Sequence, residues 1–290
     1  MDAYNYWTNE IQLVIITTAM AALYIIATPI GNLEDITLRA IRTLKEVKLI
    51  AAEDTRKTRQ LLTAFDIKTP TTSYHEHNKL TKLDYLLKVL EQDDIALVSD
   101  AGTPGISDPG YELIKAVAKQ NVKIIPVPGP SVITSALVVS GLPTDSFCFL
   151  GFLPHKSGDR KKLLKARMDE RSTLILFESP HRIEASLKDM LQIWGDRQIA
   201  VCREMTKIHE EIFRGTLSQA AGYFTSPRGE FTLVVAGKKE GNKIEIKFDI
   251  EKQLADMKKA GISAREVISQ IAEKTSLSRK ELYQAWIKIK

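Results

Sequence analysis

The chain has 290 residues, 44% of them hydrophobic and 27% charged, and a formal net charge of +5. This is the composition of an ordinary soluble globular protein, long enough for two domains and a small third. The two cysteines, Cys148 and Cys202, sit in apolar runs without metal-type or redox spacing, which excludes a thiolate metal site and fits buried thiols in a reducing cytoplasm.

Charge is unevenly spread. Residues 251–290 carry nine Lys/Arg against five Asp/Glu, and residues 155–171 carry seven against three, a local +4 in each. Such clusters suit a polyanionic partner, although most charge runs are solvated helix faces. Residues 1–19 hold no Lys or Arg, so the apolar run Ile11 to Ile26 lacks the basic flank of a signal peptide; Gln12, Thr17 and Thr18 also interrupt it. Its far half reads as the first strand of the fold. Residues 1–19 are therefore expected to be a dispensable extension, with Met20 an alternative start and no membrane span.

In chain order, Ala22–Ala27 predicts a strand, followed by the loop Thr28-Pro-Ile-Gly-Asn-Leu33 and a helix over Ile36–Glu46 capped by Asp35. Leu49–Ala52 is a second strand, ending in Glu53-Asp-Thr-Arg56 and a helix to Phe65. A short strand over Thr71–Tyr74 ends in His75-Glu-His-Asn78, and a helix runs from Lys79 to Leu90. Ile95–Val98 is a buried strand that breaks at Ser99-Asp100 into a loop holding Gly102, Pro104 and Gly105. Asp108-Pro109 predicts the next helix, with Asp as N-cap and Pro at the first position. Val122–Val127 is the fifth strand, ending in Pro128-Gly-Pro-Ser131 and a helix of small residues to Ser140. Alternating strands and helices make a parallel sheet covered on both faces.

The pattern restarts after Gly141-Leu-Pro143. Phe147–Phe152 is a strand, Lys156–Arg171 a basic helix, and Thr173–Phe177 a strand ending in Glu178-Ser-Pro-His-Arg182, with a helix to Trp194. Ile199–Cys202 is a strand ending in Arg203-Glu-Met-Thr-Lys207; Glu211–Arg214 and Phe231–Ala236 are further strands. Two capping boxes, Ser263-Ala-Arg-Glu266 and Ser278-Arg-Lys-Glu281, open short helices in the tail, with Val267, Ile268, Ile271, Leu277, Leu282 and Trp286 as a small core. Two short helices in a basic context resemble helix-turn-helix geometry; a packing or dimerisation tail is the alternative. The fold class is α/β: an extension over 1–19, α/β domains over 20–141 and 142–240, and a basic helical tail over 250–290.

A strand that ends in a small-residue loop before a helix is where open α/β sheets place ligands. Glycines let backbone approach a ligand closely, and Asp100 and Asp108 offer carboxylates to hydroxyl or ammonium groups. The first loop has a single glycine, so neither a dinucleotide fingerprint nor a triphosphate loop is present, and no Gly-x-Ser-x-Gly elbow occurs. His75 and His77 lack a third ligand nearby and read as solvent-facing loop residues, so no metal site is expected. These patterns lead to a polar, glycine-lined cleft and do not choose its ligand.

Ala27-Thr-Pro-Ile-Gly-Asn-Leu-Glu-Asp-Ile-Thr-Leu-Arg-Ala40, Ala52-Glu-Asp-Thr-Arg56, the Ser99–Gly110 loop and Pro126-Val-Pro-Gly-Pro-Ser131 together resemble the tetrapyrrole-methylase superfamily. More closely, they resemble its RNA-modifying branch, the ribosomal small-subunit RNA methyltransferase I family. Phe177-Glu-Ser-Pro-His-Arg182, Arg203-Glu-Met-Thr-Lys207 and Arg228-Gly-Glu-Phe231 continue the likeness, which covers residues 22–237 and, more loosely, the tail.

The resemblance implies two α/β domains with S-adenosylmethionine between them, and methylation of a cytidine ribose 2′-hydroxyl in the decoding region of small-subunit (16S) rRNA. It also implies a cytoplasmic homodimer that acts on free rRNA or the assembled subunit. It places Pro29, Asp100, Ala101, Gly102, Thr103, Ile106, Ser131 and Val132 beside the cofactor. The middle of the central loop, Ala101-Gly-Thr-Pro104, departs from the Gly-Gly-Asp-Pro of the tetrapyrrole enzymes. A sulfonium methyl needs no metal, so the enzyme's tasks are alignment and removal of the hydroxyl proton. Glu53, Asp54, Glu204 and Lys207 are the proton acceptors or orienting groups this chemistry would use, or structural ion-pair partners instead. Arg56, His181, Arg182 and Arg203 are the residues to bind RNA phosphate. Two other readings stay open: a methylase of the same superfamily acting on a porphyrin-type carbon or protein side chain, and an RNA-binding factor that has lost the cofactor.

Overall fold

The computed structural model describes residues 21–238 except 77, 226 and 227, together with residues 252–260, 262–274 and 279–288. The extension 1–19, His77, Leu277 and Ser278, the cap residue of the second expected box, lie outside the described residues.

Five strands, β1 (Ala22–Ile26), β2 (Leu49–Ala52), β3 (Thr71–Ser73), β4 (Ile95–Val98) and β5 (Lys123–Val127), form a sheet in the order β3-β2-β4-β1-β5. All its pairings are parallel, with β4 between β1 and β2. β2 and β4 are buried at every position, as expected of strands covered on both faces. Side chains alternate between two cores: Leu23 and Leu97 pack with Leu86, Leu113 and Val117, whereas Ile26 and Val98 pack with Ala40, Leu44 and Leu61. The helices supplying these faces are α1 (Leu38–Glu46), α2 (Thr55–Ala64), α3 (Lys79–Val89) and α4 (Tyr111–Lys119).

The second sheet is mixed, in the order β6-β7-β10-β8-β9, from β6 (Phe147–Phe152), β7 (Thr173–Glu178), β8 (Gln198–Arg203), β9 (Glu211–Thr216) and β10 (Phe231–Val235). β10 is central, antiparallel to β7 and β8, and buried along its whole length. One face packs Leu176, Val201 and Leu233 against α6 (Ser157–Ala166), α7 (Ile183–Trp194) and α8 (Leu217–Tyr223). The other face packs Ile175, Ala200 and Val234 against Ala136 and Leu137 of α5 (Val132–Ser140). Ile30 and Val132 of the first half also join this core, so α5 and the first loop tie the two halves together. Both sheets belong to one compact unit, comprising residues up to Met168 and Ser172–Ala236.

Two helix starts and one helix end differ from the sequence expectation. Leu33–Asp35 is a 3-10 turn, with the Asn32 side chain accepting from the Glu34 N–H; Thr37, not Asp35, caps α1 by accepting from the Ala40 N–H at 3.1 Å. Asp108 and Pro109 do not start α4. Ser107 and Gly110 take φ of +62° and +144°, the chain makes one more turn, and the helix begins at Tyr111. The basic helix α6 ends at Ala166 rather than Arg171. Part of its charge is internal, since the buried Arg160 pairs with Asp189 of α7 at 2.6 Å.

In the separate tail unit, 252–259 is a helix α9 that sequence reading did not anticipate, followed by α10 (Ala264–Lys274) and α11 (Arg279–Lys288). Ser263 accepts from the Glu266 N–H at 3.4 Å, one half of the expected capping box. Leu254 of α9 completes a core with Val267, Ile268, Ile271 and Leu282, against which Trp286 packs.

Candidate active site

Parallel strands collect their outgoing loops at one edge. Here the loops after β1, β2, β4 and β5 meet where β1 and β4 lie side by side, the position at which successive connections diverge to opposite sides of the sheet. The loop after β4 is bonded to the loop after β1 by a two-way backbone bridge: Thr28 N–H to Gly102 O and Gly102 N–H to Thr28 O, both 2.9 Å. Gly102 sits at φ +76°, where an L side chain is strained.

A second tie runs to the loop after β2. Asp100 Oδ1 accepts the Asp54 N–H at 3.0 Å, Glu53 Oε2 accepts the Asp100 N–H at 3.2 Å, and Lys57 Nζ reaches Asp100 Oδ2 at 2.7 Å. Burial pushes the Glu53 carboxyl above its ordinary range, against the lowering effect of the Asp100 N–H. Asp54 caps α2 and holds Arg56 at 2.8 Å; the Arg56 side-chain and backbone bonds keep its carboxyl well below the usual carboxylate range. Asp54 is thus a weak proton acceptor with a capping role.

Between the halves lies a cavity of about 290 Å³. Ala101, Gly102, Thr103 and Ile106 of the central loop line it, with Ser131 and Val132 at the start of α5. The second half contributes Phe177–Pro180, Cys202, Met205 and the start of β10. Most of this lining is apolar. Asp108 is the first half's carboxylate in it, pushed up to about 6, foremost by burial and then by the negative charge of Glu53, against a hydrogen bond from Ser99. Pro29 and Asp100 line an adjoining groove instead, together with Lys57 and Lys207. Ile30, Ala101 and Glu230 border both spaces.

The loop after β8 closes this edge from the other half. Glu204 and Thr206 take φ of +50° and +65°, uncommon for residues with a Cβ. Lys207 Nζ bonds Glu204 at 2.9 Å and Glu230 at 3.0 Å. Burial opposes charge on both Glu204 and Lys207. The Glu230 N–H and Lys207 nevertheless hold Glu204 below its ordinary value, and the two carboxylates hold Lys207 above its own. Lys207 is therefore an ammonium at neutral pH and suits orientation rather than proton removal. The first loop presses directly on this one: a Cβ on Gly31 would stand 2.6 Å from Lys207 Cγ and 2.8 Å from the Met205 carbonyl oxygen.

Of the four residues expected to meet RNA phosphate, His181 and Arg56 are exposed. Arg182 is not free to do so. Its guanidinium pairs with the wholly buried Glu178 carboxylate at 2.6 Å and donates to the Leu153 carbonyl at 3.0 Å. Ser186 donates to the other Glu178 oxygen at 2.5 Å. Arg203 is likewise engaged, by the Arg228 carbonyl at 2.6 Å and Glu211 at 3.1 Å. Sequence reading missed Lys57, Glu178 and Glu230 as parts of the site, although all three lie within or beside quoted motifs. Among the described residues, no group of three or more His, Cys, Asp or Glu could hold a metal ion. His75 is half-buried rather than solvent-facing.

Because Arg182 neutralises a buried carboxylate, Arg182→Ala should destabilise the fold by about 3–5 kcal/mol, the cost of stranding one buried charge. Urea denaturation measures this; a stability change below about 1 kcal/mol with a loss confined to RNA affinity would return Arg182 to the phosphate-binding set.

The family model of tetrapyrrole (corrin/porphyrin) methylases matches residues 22–221. A protein of Halalkalibacterium halodurans named ribosomal RNA small subunit methyltransferase I is 46% identical over 273 residues, covering 91% of this chain and 94% of its own. A Synechocystis protein of the same name is 47% identical, covering 91% and 97%, and one from Bacillus subtilis is 42% identical, covering 92% and 94%. Among solved structures, a diphthine synthase superposes with a TM-score of 0.62 at 14% identity, covering 76% of this chain and 91% of that one. A uroporphyrin-III C-methyltransferase of Thermus thermophilus gives 0.52 at 19%, covering 75% and 94%. At such identities the structures speak for the fold alone. The sequence relatives and the family model together establish that this chain belongs to the tetrapyrrole methylase family, in its ribosomal RNA small subunit methyltransferase I branch.

Proposed function

We propose that the protein transfers a methyl group from S-adenosylmethionine to small-subunit rRNA, at the 2′-hydroxyl of a cytidine ribose in the decoding region. The observation that carries this reading is near-half identity over nine-tenths of the chain to proteins named for that rRNA. The site's chemistry is compatible with it. A mostly apolar cavity with glycine-permitted backbone at Gly102 suits adenine and a methionyl chain, and the half-buried Asp108 carboxylate suits an ammonium group. When bound, S-adenosylmethionine supplies an electrophilic methyl that needs no metal.

In this reading the chain's own residues hold and orient. Ala101, Gly102, Thr103, Ile106, Ser131 and Val132 form the cofactor wall, and Glu53 and Asp100 fix the loop that carries it. Lys207, held by Glu204 and Glu230, orients the acceptor. Exposed Arg56 and His181 and the basic tail helices meet RNA phosphate. The protein works as a cytoplasmic homodimer. Among the described residues no helix is long and apolar enough to cross a membrane.

Small-subunit rRNA from a strain deleted for the gene should gain one ribose-methylated cytidine on incubation with the purified protein and S-adenosylmethionine, read by mass mapping. No rRNA methylation, on free RNA or on subunits, would refute the assignment. Asp108 gives the pH dependence its sign. Its folded pKa of about 6 lies above the ordinary carboxyl value, so folding favours the protonated acid, and the stability this confers is lost as pH rises to about 6. An ammonium ligand needs the carboxylate. Calorimetric titration should therefore find S-adenosylmethionine affinity steady above pH 6 and falling up to about tenfold per pH unit below it. Asp108→Asn should bind more weakly with no such slope; an unchanged slope would remove Asp108 from the ligand's amine.

A further inference from the structure

A groove adjoins the cofactor cavity, with Lys207 in its lining. It measures about 410 Å³ and is lined by the first loop, the start of α2 and the tip of β4. Its charges are already matched: Lys57 pairs with Asp100 at 2.7 Å, and Lys207 pairs with Glu230 at 3.0 Å. A space lined by satisfied ion pairs does not select a phosphate, because it offers no net positive charge. It suits an uncharged group rich in hydroxyls and apolar faces. Its rim is apolar in the same way: Leu33 lines it while 48% exposed, and Ile208, next to the groove residue Lys207, is 97% exposed. Gly31 presses on Lys207, so these two side chains project from adjoining loops of opposite halves. Cationic reach lies outside, where the Arg56 side chain is 87% exposed while paired with Asp54, and Arg59 of α2 is exposed too.

We infer that this groove receives the acceptor nucleoside, turned out of the RNA strand, with its ribose toward the shared border and its base between Leu33 and Ile208. Unstacked bases are read by stacking and apolar contact, with phosphates left to peripheral cations. The border residues Ile30, Ala101 and Glu230 line both spaces, so a ribose hydroxyl entering here meets the cofactor cavity where the two open on each other. This inference rests on the rRNA methyltransferase reading and adds where, and by which residues, the target nucleotide is held.

Two variants of the full chain test it. With p-benzoylphenylalanine in place of Leu33, irradiation on unmethylated small-subunit rRNA or subunits, without S-adenosylmethionine, should cross-link at the nucleotide that the wild type methylates. Gln60 is exposed and lines the groove without lining the cofactor cavity. Gln60→Trp should fill the groove and lower kcat/KM at least tenfold, leaving S-adenosylmethionine affinity within twofold and the melting temperature unchanged. Cross-links at other nucleotides, or a Gln60→Trp enzyme of wild-type kcat/KM, would overturn the groove assignment while methylation by the wild type still stands. If the wild type methylates no rRNA but a protein side chain cross-links in the groove, the functional reading itself fails.

Discussion

One carboxylate, that of Asp100, holds the active edge together. Its oxygens take the Asp54 N–H and the Lys57 ammonium, while its own N–H goes to Glu53. Beyond the last strand residues the β2 and β4 loops share no ladder, so their relative position depends on side-chain bonds of this kind. With Asp100 in place, the β2 and β4 loops form a single wall, and the Thr28–Gly102 bridge adds the β1 loop to it. The cavity and the adjoining groove lie on that wall. A site built this way is organised before any ligand arrives, and binding energy need not be spent on ordering loops.

The carboxylates at these strand tips are close in sequence and space, yet their partners give them different chemistry. Asp54 is committed to a helix cap and Arg56, which holds it ionised. Asp100 is committed to the lock. Glu53 is half-buried and accepts one N–H, and its charge in turn disfavours ionisation of Asp108. Among the described residues Asp108 has no ion pair, and only a hydrogen bond from Ser99 favours its ionised form, so a cation entering the cavity finds a carboxyl it can ionise further. Similar residues thus become cap, clamp and unpaired cavity carboxyl according to what stands opposite.

Much of this was legible in sequence, for identifiable reasons. Buried parallel strands are short β-branched or small apolar runs, and Ile95–Val98 and Leu49–Ala52 read as such directly. The loops were visible as Gly/Pro punctuation, and their long motifs carried the family. The start of α4 was misread because Asp-Pro mimics a cap, whereas the left-handed Ser107 and Gly110 delay the helix and release Asp108 into the cavity. α8 was overlooked although Thr216-Leu-Ser-Gln219 is a complete capping box. Arg182 looked like a phosphate ligand because burial of its i−4 partner Glu178 cannot be read from spacing. Local patterns reveal elements; which charges face each other across loops is decided by tertiary packing.

The claim on which the rest depends is that the Asp100 lock organises the cofactor wall. Calorimetric titration of S-adenosylmethionine into Asp100→Ala, alongside its melting temperature, tests it most directly. The expected result is a folded protein whose affinity has fallen at least tenfold. A folded Asp100→Ala protein that binds S-adenosylmethionine as tightly as the wild type would contradict the claim.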